Sequence, residues 1–368
     1  MKHLSLLRLD GFRSIKAAEI PLRPLNVLIG ANGAGKSNLI DFFRMLNYAL
    51  SKGFQDPYQR ERGPASAILH FGSKVTGVIR AELDFKTDVG TNTYRFTLAD
   101  SQGDRLTFTK EEVQFCREGA ARPAPAVPLI QAPSNESGLT ELWSDNDPTA
   151  KFAKFFLRRC RVYQFHDTSI SSHFRDYAST EASSYLYADG GNLAALLLAL
   201  RADYPGDYLA IRRTLSTVLP WFDDFVLEPE GRKGVLLRWR MVGKGHEFNP
   251  GQLSDGSLRI MALVTLLLLP EDLLPQAIIL DEPELGLHPA AEAVIAGLIR
   301  DVSQRCQVLL STQSATFLDH FSADDVIVVE SENGESRFVR QSSEALAAWR
   351  ERYTLGQAWS KNLMGGRP

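Results

Sequence analysis

The chain has 368 residues, 44% of them hydrophobic and 23% charged, and a formal net charge of −3. Those figures exclude a disordered majority and allow a sizeable core in one large or two modest domains. So balanced a charge neither demands nor excludes a nucleic-acid partner, because a local basic face would be hidden in the total.

In chain order, residues 1–14 carry charges from Lys2 onward and no apolar stretch of signal-peptide type, so no cleaved leader is expected. Leu4 to Leu9 alternates loosely as a strand, and Leu25 to Ile29 is a short apolar run that stops at Gly30. Leu39, Phe42, Phe43, Leu46 and Leu50 then recur at helical spacing, which predicts a helix over 37–50. From Ala67 to Phe115 the period falls to two and predicts antiparallel strands, with turns at Asp88 to Gly90 and Ser101 to Asp104. Residues 117–148, rich in Ala, Pro, Gly, Asn and Ser, predict a surface loop. A strand is expected at Arg161 to Phe165, helices after Asp189-Gly-Gly-Asn192 and at Ile211 to Leu219, and strand character from Val226 to Met241. The last third alternates a helix from Leu258, a strand at Ala277 to Leu280, a helix from Ala290, and strands at Val308 to Ser311 and Val326 to Val329. That βα alternation predicts an α/β fold with a mainly parallel sheet. The longest apolar run, Ile260 to Leu269, is about half a membrane span and contains Thr265, so a buried helix and no membrane partner are expected. Cys116, Cys160 and Cys306 stand far apart with no CxxC pair; they predict a reducing, cytoplasmic setting and no cysteine zinc site.

Three motifs carry chemistry. Gly30-Ala-Asn-Gly-Ala-Gly-Lys36-Ser37 fits GxxxxGK[ST] between an apolar strand and an amphipathic helix. Glycines let several backbone N–H groups converge on one anion, and the helix presents its positive end to the same place. Asn32, Gly33, Ala34, Gly35, Lys36, Ser37 and Asn38 are therefore expected to hold phosphate. Lys36 would neutralise the β- and γ-phosphates, and the Ser37 hydroxyl is a hard ligand for Mg²⁺. Far along the chain, the apolar strand at Ala277 ends in Asp281-Glu282. Strand ends of a parallel sheet face the crevice where ligands bind. Asp281 is expected to hold Mg²⁺ and Glu282 to take a proton from an attacking water or orient it. Taken alone, such a pair is more often a solvated helix start. Between these two motifs, Pro250 to Arg259 leads into the apolar helix. Ser254 can cap that helix and Gly256 can let a phosphate approach the backbone, a plain N-cap being the equal alternative.

In this order the motifs resemble those of the ABC-type ATPases. Their signature has the form LSGGQ and precedes the acidic strand, as Leu253 to Ser257 does here, with Asp255 and Ser257 departing from the commonest letters. Gly11-Phe-Arg13-Ser14 resembles the N-terminal FRS element of the RecF/SMC-like branch, and Asp281-Glu-Pro-Glu-Leu-Gly-Leu-His288-Pro289 resembles its extended acidic motif and dimer loop. The overall pattern, including the ending from Tyr353, is similar to stand-alone predicted AAA-type ATPases close to the ATPase half of OLD-like proteins.

The resemblance implies an α/β P-loop NTPase, an ABC-type head with a mainly parallel core sheet, an antiparallel β lobe and a helical insert. It implies a division into 1–160 with phosphate loop and lobe, an insert at 161–250, and 251–368 with signature, acidic strand and tail. ATP and Mg²⁺ are the implied cofactors. Arg13 would reach nucleotide phosphate, and Gln164 would join Ser37 and Asp281 on Mg²⁺, with His166 or Asp167 as alternatives. Glu284 and His288 would face a partner subunit, a polar loop and helix cap being the other reading. Gln313 stands where a switch histidine is usual. An amide can hydrogen-bond phosphate or water but cannot carry charge, so slow or differently gated hydrolysis is expected. In this family the signature of one subunit binds the γ-phosphate held by the other, which implies a homodimer clasping two ATPs.

No heptad pattern is sustained, so tethering over distance is not expected. Asp145-Asn-Asp147 lies in the polar loop and does not read as a nuclease site. The expected function is an ATP-driven switch acting on DNA or on a separate nuclease or other effector, in DNA repair or anti-phage defence. A nucleotide-stabilised binding module with little turnover and a soluble transporter ATPase subunit are the alternatives. Arg158 to Arg161, Arg212-Arg213, Arg232-Lys233, Arg238 and Arg240 would track phosphates if they shared one face, and otherwise read as surface or internal ion pairs.

Overall fold

The computed structural model describes residues 2–50, 55–165, 167, 169, 171–350 and 352–367. By contact the chain forms two units interleaved in sequence: Met1–Val162 with Gln276–Ile279 and Cys306–Pro368, and Tyr163–Pro275 with Leu280–Arg305. In chain order the strands are β1 (His3–Phe12), β2 (Ile15–Pro21), β3 (Leu25–Ile29), β4 (Val78–Thr87), β5 (Gly90–Ser101), β6 (Arg105–Arg117), β7 (Val127–Pro128) and β8 (Cys160–Tyr163). They continue with β9 (Phe222–Val226), β10 (Arg238–Met241), β11 (Glu247–Phe248), β12 (Ala277–Asp281), β13 (Gln307–Ser311), β14 (Val326–Glu332) and β15 (Glu335–Arg340).

The first unit holds an antiparallel lobe in the order β2-β1-β4-β5-β6-β7. Its period-two pattern works as expected: Ile79, Ala81, Leu83 and Phe85 turn inward from β4 while Arg80 is exposed. The Lys36–Ala49 helix buries Leu39, Phe42, Phe43 and Leu46 in the same core. Phe42 meets Phe12 edge-on at 5.7 Å and stacks on Phe96 at 6.4 Å. The segment 117–148 is more than a surface loop. Leu129 and Leu139 are buried, and Glu111 accepts hydrogen bonds from Tyr94 Oη (2.7 Å), Ser137 Oγ (2.5 Å) and the Gly138 amide (2.7 Å). Burial pushes the Glu111 carboxyl above its ordinary pKa, against those bonds.

The core sheet runs β15-β14-β3-β13-β12-β8. β3 pairs in parallel with β13 and β14, and β15 adds an antiparallel edge. All five β3 residues are buried, which is why the run is apolar and unalternating. Its one polar member, Asn26, is satisfied by Arg23 O (2.6 Å) and Val308 O (3.1 Å).

The second unit contains the small antiparallel sheet β11-β10-β9 and the helices Leu193–Asp203, Pro205–Val218, Asp255–Leu267 and Pro289–Val302. The strand character expected from Val226 to Met241 is realised in two pieces: β9 and β10 are separated by a short turn of helix at Gly231–Lys233. Asn192 precedes its helix without capping it. Its side chain accepts from the Tyr187 amide (2.7 Å) and donates to Ala182 O and Tyr185 O. Among the described residues no helix is long and apolar enough to cross a membrane.

Candidate functional site

In the first unit β3 delivers its chain to Gly30, whose left-handed backbone lies so close to β14 that an added Cβ would stand 2.1 Å from Val329 O. The loop turns through Asn32 and Gly33, both exposed, and enters the helix at Gly35. Gly35 has φ 114°, and a Cβ there would fall 1.9 Å from Ser336 Oγ. Gly33 also has positive φ (79°), but nothing lies within 4 Å of where its Cβ would stand. The inner glycine thus serves packing, and the outer one keeps an open cradle. Lys36 is buried, with Nζ donating to Gly30 O (2.6 Å) and Ala31 O (3.1 Å), while Ser37 is exposed at the helix tip. The helix cap has no side chain and the first turn no acidic residue. Its first N–H groups lack intrahelical acceptors by geometry, so the tip suits an anion.

Two serines from outside the loop hold it. Ser336 on β15 donates to Ala34 O (2.7 Å) and shares a 2.6 Å contact with Ser14 Oγ, to which Asn38 Nδ2 donates at 2.6 Å. A chain of three side chains therefore links two turns to both ends of the Ala34–Asn38 corner. Ser14 was visible within the FRS segment; Ser336 carries no local signal, because it is 302 residues from Ala34 in the loop it supports.

Arg13 lies beside the loop with left-handed backbone (φ 49°). Its guanidinium is paired 2.7 Å from Asp41 Oδ2, on the same helix as Lys36, and Arg62 approaches the other Asp41 oxygen at 3.1 Å. Burial pushes the neighbouring Tyr58 phenol well above its ordinary pKa. Gln313 is exposed just after β13, the strand whose Ser311 is in register with Leu28 of β3.

The tail is a further addition. Thr354 caps the Leu355–Ser360 helix, Gly356 packs on Ala315 O, and buried Trp359 donates from Nε1 to Gly366 O (2.5 Å). Gly366 lies against β14, where an added Cβ would stand 3.5 Å from Gly30 Cα. Of the two tryptophans near this ending, Trp359 is buried and Trp349 is 41% exposed.

In the second unit Gln164 and Asp281 come together, Gln164 Nε2 donating to Asp281 Oδ2 at 3.0 Å. Glu282 follows with φ 46°, a conformation costing a non-glycine residue roughly 1–3 kcal/mol and favoured at sites where surrounding structure fixes a side chain. Of the alternatives to Gln164, Asp167 is exposed, with its carboxyl held below the ordinary range by hydrogen bonds from the Ser169 hydroxyl and amide; His166 lies outside the described residues.

Ser254 caps the Asp255–Leu267 helix, accepting from the Ser257 amide (3.3 Å) and sharing a 2.8 Å contact with Ser257 Oγ. Gly256 makes room for Gly286 O, 2.8 Å from where a Cβ would be, so its first use is packing against the 282–288 loop. Two arginines the sequence reading passed over organise this end. Arg175 binds Pro250 O, Leu253 O (3.4 Å) and Asp255 (3.2 Å). Arg259 binds Phe165 O (2.9 Å) and Leu285 O (2.8 Å). Neither has a recognisable spacing, because each holds carbonyls far from it in sequence. Glu284, expected at a partner's surface, is buried within the unit, while Leu285 and His288 are exposed. His288 caps the Pro289–Val302 helix through Nδ1, 3.2 Å from the Ala290 amide.

Residues 25–319 match the protein family described as "AAA domain, putative AbiEii toxin, Type IV TA system". The molybdenum import ATP-binding protein ModC of two Mycobacterium tuberculosis strains, CDC 1551 / Oshkosh and ATCC 25618 / H37Rv, is 36% identical over 140 residues. That stretch is 36% of this chain and 36% of each relative, so the chain spans little more than a third of their length. A solved SmcHead bound to the C-winged helix domain of ScpA is similar with a TM-score of 0.63 at 16% identity, over 94% of this chain and 99% of that one. The Smc head domain with an extended coiled coil bound to the C-terminal domain of ScpA, derived from Pyrococcus furiosus, gives 0.58 at 14% identity, over 95% and 99%. At such identities the likeness carries the fold, and it is the α/β P-loop head the motifs implied.

Proposed function

The chain belongs to this AAA-domain family and is a P-loop ATPase, and from that premise we propose an ATP-driven switch whose two nucleotide sites are completed between two copies. In this reading Lys36 and the amides from Asn32 to Asn38 hold the triphosphate. Arg13, anchored on Asp41, adds positive charge beside the loop. Ser37, Asp281 and Gln164 offer the hard oxygens that suit Mg²⁺, which neutralises phosphate charge when bound. Glu282 takes the proton of an attacking water, and Gln313 orients that water or the γ-phosphate. Ser254 and Gly256 of one copy face the phosphate held by the other.

The observation that carries the reading is the 3.0 Å contact between Gln164 and Asp281, 117 residues apart in sequence and separately nominated as metal ligands. Arg212 pairs with Asp223 (2.9 Å) and Arg238 with Glu230 (3.0 Å), which leaves the basic runs less available for DNA. A protein effector, such as a separate nuclease, is therefore the favoured target and DNA the second. The toxin–antitoxin description of the family favours an anti-phage setting over DNA repair.

Steady-state hydrolysis with and without DNA tests the switch, together with a pull-down from native cells using the Glu282→Gln form and ATP. Turnover that Glu282→Gln removes while ATP stays bound, with an effector retained, supports it. No turnover under any condition leaves a nucleotide-held binding module. Recovery of a membrane subunit would instead support a transporter role of the kind the ModC name carries.

A further inference from the structure

The parallel ladder between β3 and β13 brings Ser311 into register with Leu28, and the Thr312 amide donates to Leu28 O (3.0 Å). Gly30 and Gln313 lie beyond these paired residues, and residues 355–366 reach the surroundings of both. At one end the Gly356 amide donates to Asp319 Oδ1 (2.7 Å), and a Cβ on Gly356 would stand 2.1 Å from Ala315 O, two residues past Gln313. At the other end the Gly366 amide donates to Glu330 Oε1 (2.9 Å) on β14, and a Cβ on Gly366 would stand 3.5 Å from Gly30 Cα. Trp359 ties the two ends together: its ring is buried, and from the helix that carries Gly356 its Nε1 donates to Gly366 O (2.5 Å). Gly365 and Gly366 have left-handed backbone (φ 82° and 61°), which lets the chain come this close.

Gly30 therefore lies against two backbones, β14 at Val329 O and the tail at Gly366. Its own carbonyl, with Ala31 O, holds Lys36 Nζ. Moving Gly30 moves the amine that meets the β- and γ-phosphates. A cradle fixed before its ligand arrives loses less freedom on binding and so binds more tightly. Close-packed groups also transmit a displacement rather than absorb it. We propose that residues 355–366 are a strap that fixes the phosphate loop relative to Gln313, with Trp359 as its positioning residue. The proposal rests on reading residues 30–37 as the triphosphate loop and Gln313 as the group that orients water or γ-phosphate.

Affinities for MgATP and for magnesium tripolyphosphate, with single-turnover hydrolysis at saturating MgATP, are measured on wild type, Trp359→Phe, Gly366→Ala, Gln313→Ala and the Trp359→Phe/Gln313→Ala pair. Trp359→Phe keeps a ring and removes the N–H, and one lost hydrogen bond corresponds to about a fivefold change. Both ligands should bind about fivefold more weakly to Trp359→Phe and to Gly366→Ala, because the strap acts on the loop and not on the base. Saturated hydrolysis should also slow about fivefold with Trp359→Phe, and that slowing should vanish when Gln313→Ala is already present, as for coupled residues. Trp349→Phe, at an exposed tryptophan, should change neither affinity nor rate. Wild-type affinity and rate in both Trp359→Phe and Gly366→Ala overturn the strap, while binding of both ligands by the wild-type chain keeps the triphosphate loop. A slowing by Trp359→Phe that is equally large with and without Gln313 also overturns it, since the tail then supports the fold alone. A wild-type chain that binds neither ligand contradicts the loop itself and the strap with it.

Discussion

Two helix tips in this chain look alike in sequence and are built in opposite ways. The Lys36–Ala49 helix begins at a glycine, has no cap and no acid in its first turn, and is held from behind by Ser14, Asn38 and Ser336. Its amides face outward with their dipole unspent. The Asp255–Leu267 helix begins at Ser254, whose hydroxyl already serves the Ser257 amide, and carries Asp255 in its first turn. A carboxylate there stabilises the helix end and repels an arriving phosphate, unless its charge is met by Arg175, 3.2 Å away. The first tip can take an anion on its own. The second is satisfied within its own chain and needs a reason to open, which a phosphate presented by a second copy would supply.

The contrast can be broken at several points. The largest effect belongs to Glu282, which follows the acidic strand: Glu282→Gln should slow single-turnover hydrolysis by about 10³-fold with ATP affinity unchanged. A parallel loss of binding would make Glu282 a strained turn residue only. Next, Lys36→Ala should weaken ATP binding about 100-fold, from a lost charge-assisted contact of about 3 kcal/mol. Ser254→Ala should leave binding to the single chain intact and lower turnover. Calorimetry beside a phosphate-release assay separates the two; equal losses of affinity would erase the difference between the tips. Arg175→Ala should cut turnover by about tenfold at constant ATP affinity, and Asp255→Asn in the same chain should recover part of it, as expected for two coupled charges. Failure of the second change to help would remove Asp255 from the account. The smallest effect sharpens the first tip: Ser336→Ala, losing one hydrogen bond of about 1 kcal/mol, should raise the ATP dissociation constant about fivefold.

Much of this was legible in the sequence, for physical reasons that differ from place to place. The phosphate loop announces itself because glycine spacing, strand and helix are all local. The apolar β3 and β12 read as buried strands because both faces are covered. Asp281 and Gln164 were nominated separately, and only the fold shows them touching. What stayed hidden depends on long-range closure. Ser336, Arg175 and Arg259 act through carbonyls and hydroxyls that no spacing rule connects to them. Gly256 shows a limit of the same kind: an allowance for close approach looks identical in sequence whether the visitor is a phosphate or, as in this chain, Gly286 O. Arg13, expected on phosphate, is here paired with Asp41, a contact that no local pattern connects to it.

In the proposed dimer the two tips meet through nucleotide. Light scattering coupled to size-exclusion chromatography, on the Glu282→Gln chain with and without MgATP, tests it most directly, with Ser254→Arg added as the variant that blocks the second tip. The mass should double with MgATP and return to that of a single chain when Ser254→Arg is present. An ATP-saturated chain that keeps its nucleotide-free mass would contradict it, and so would a doubling indifferent to Ser254→Arg.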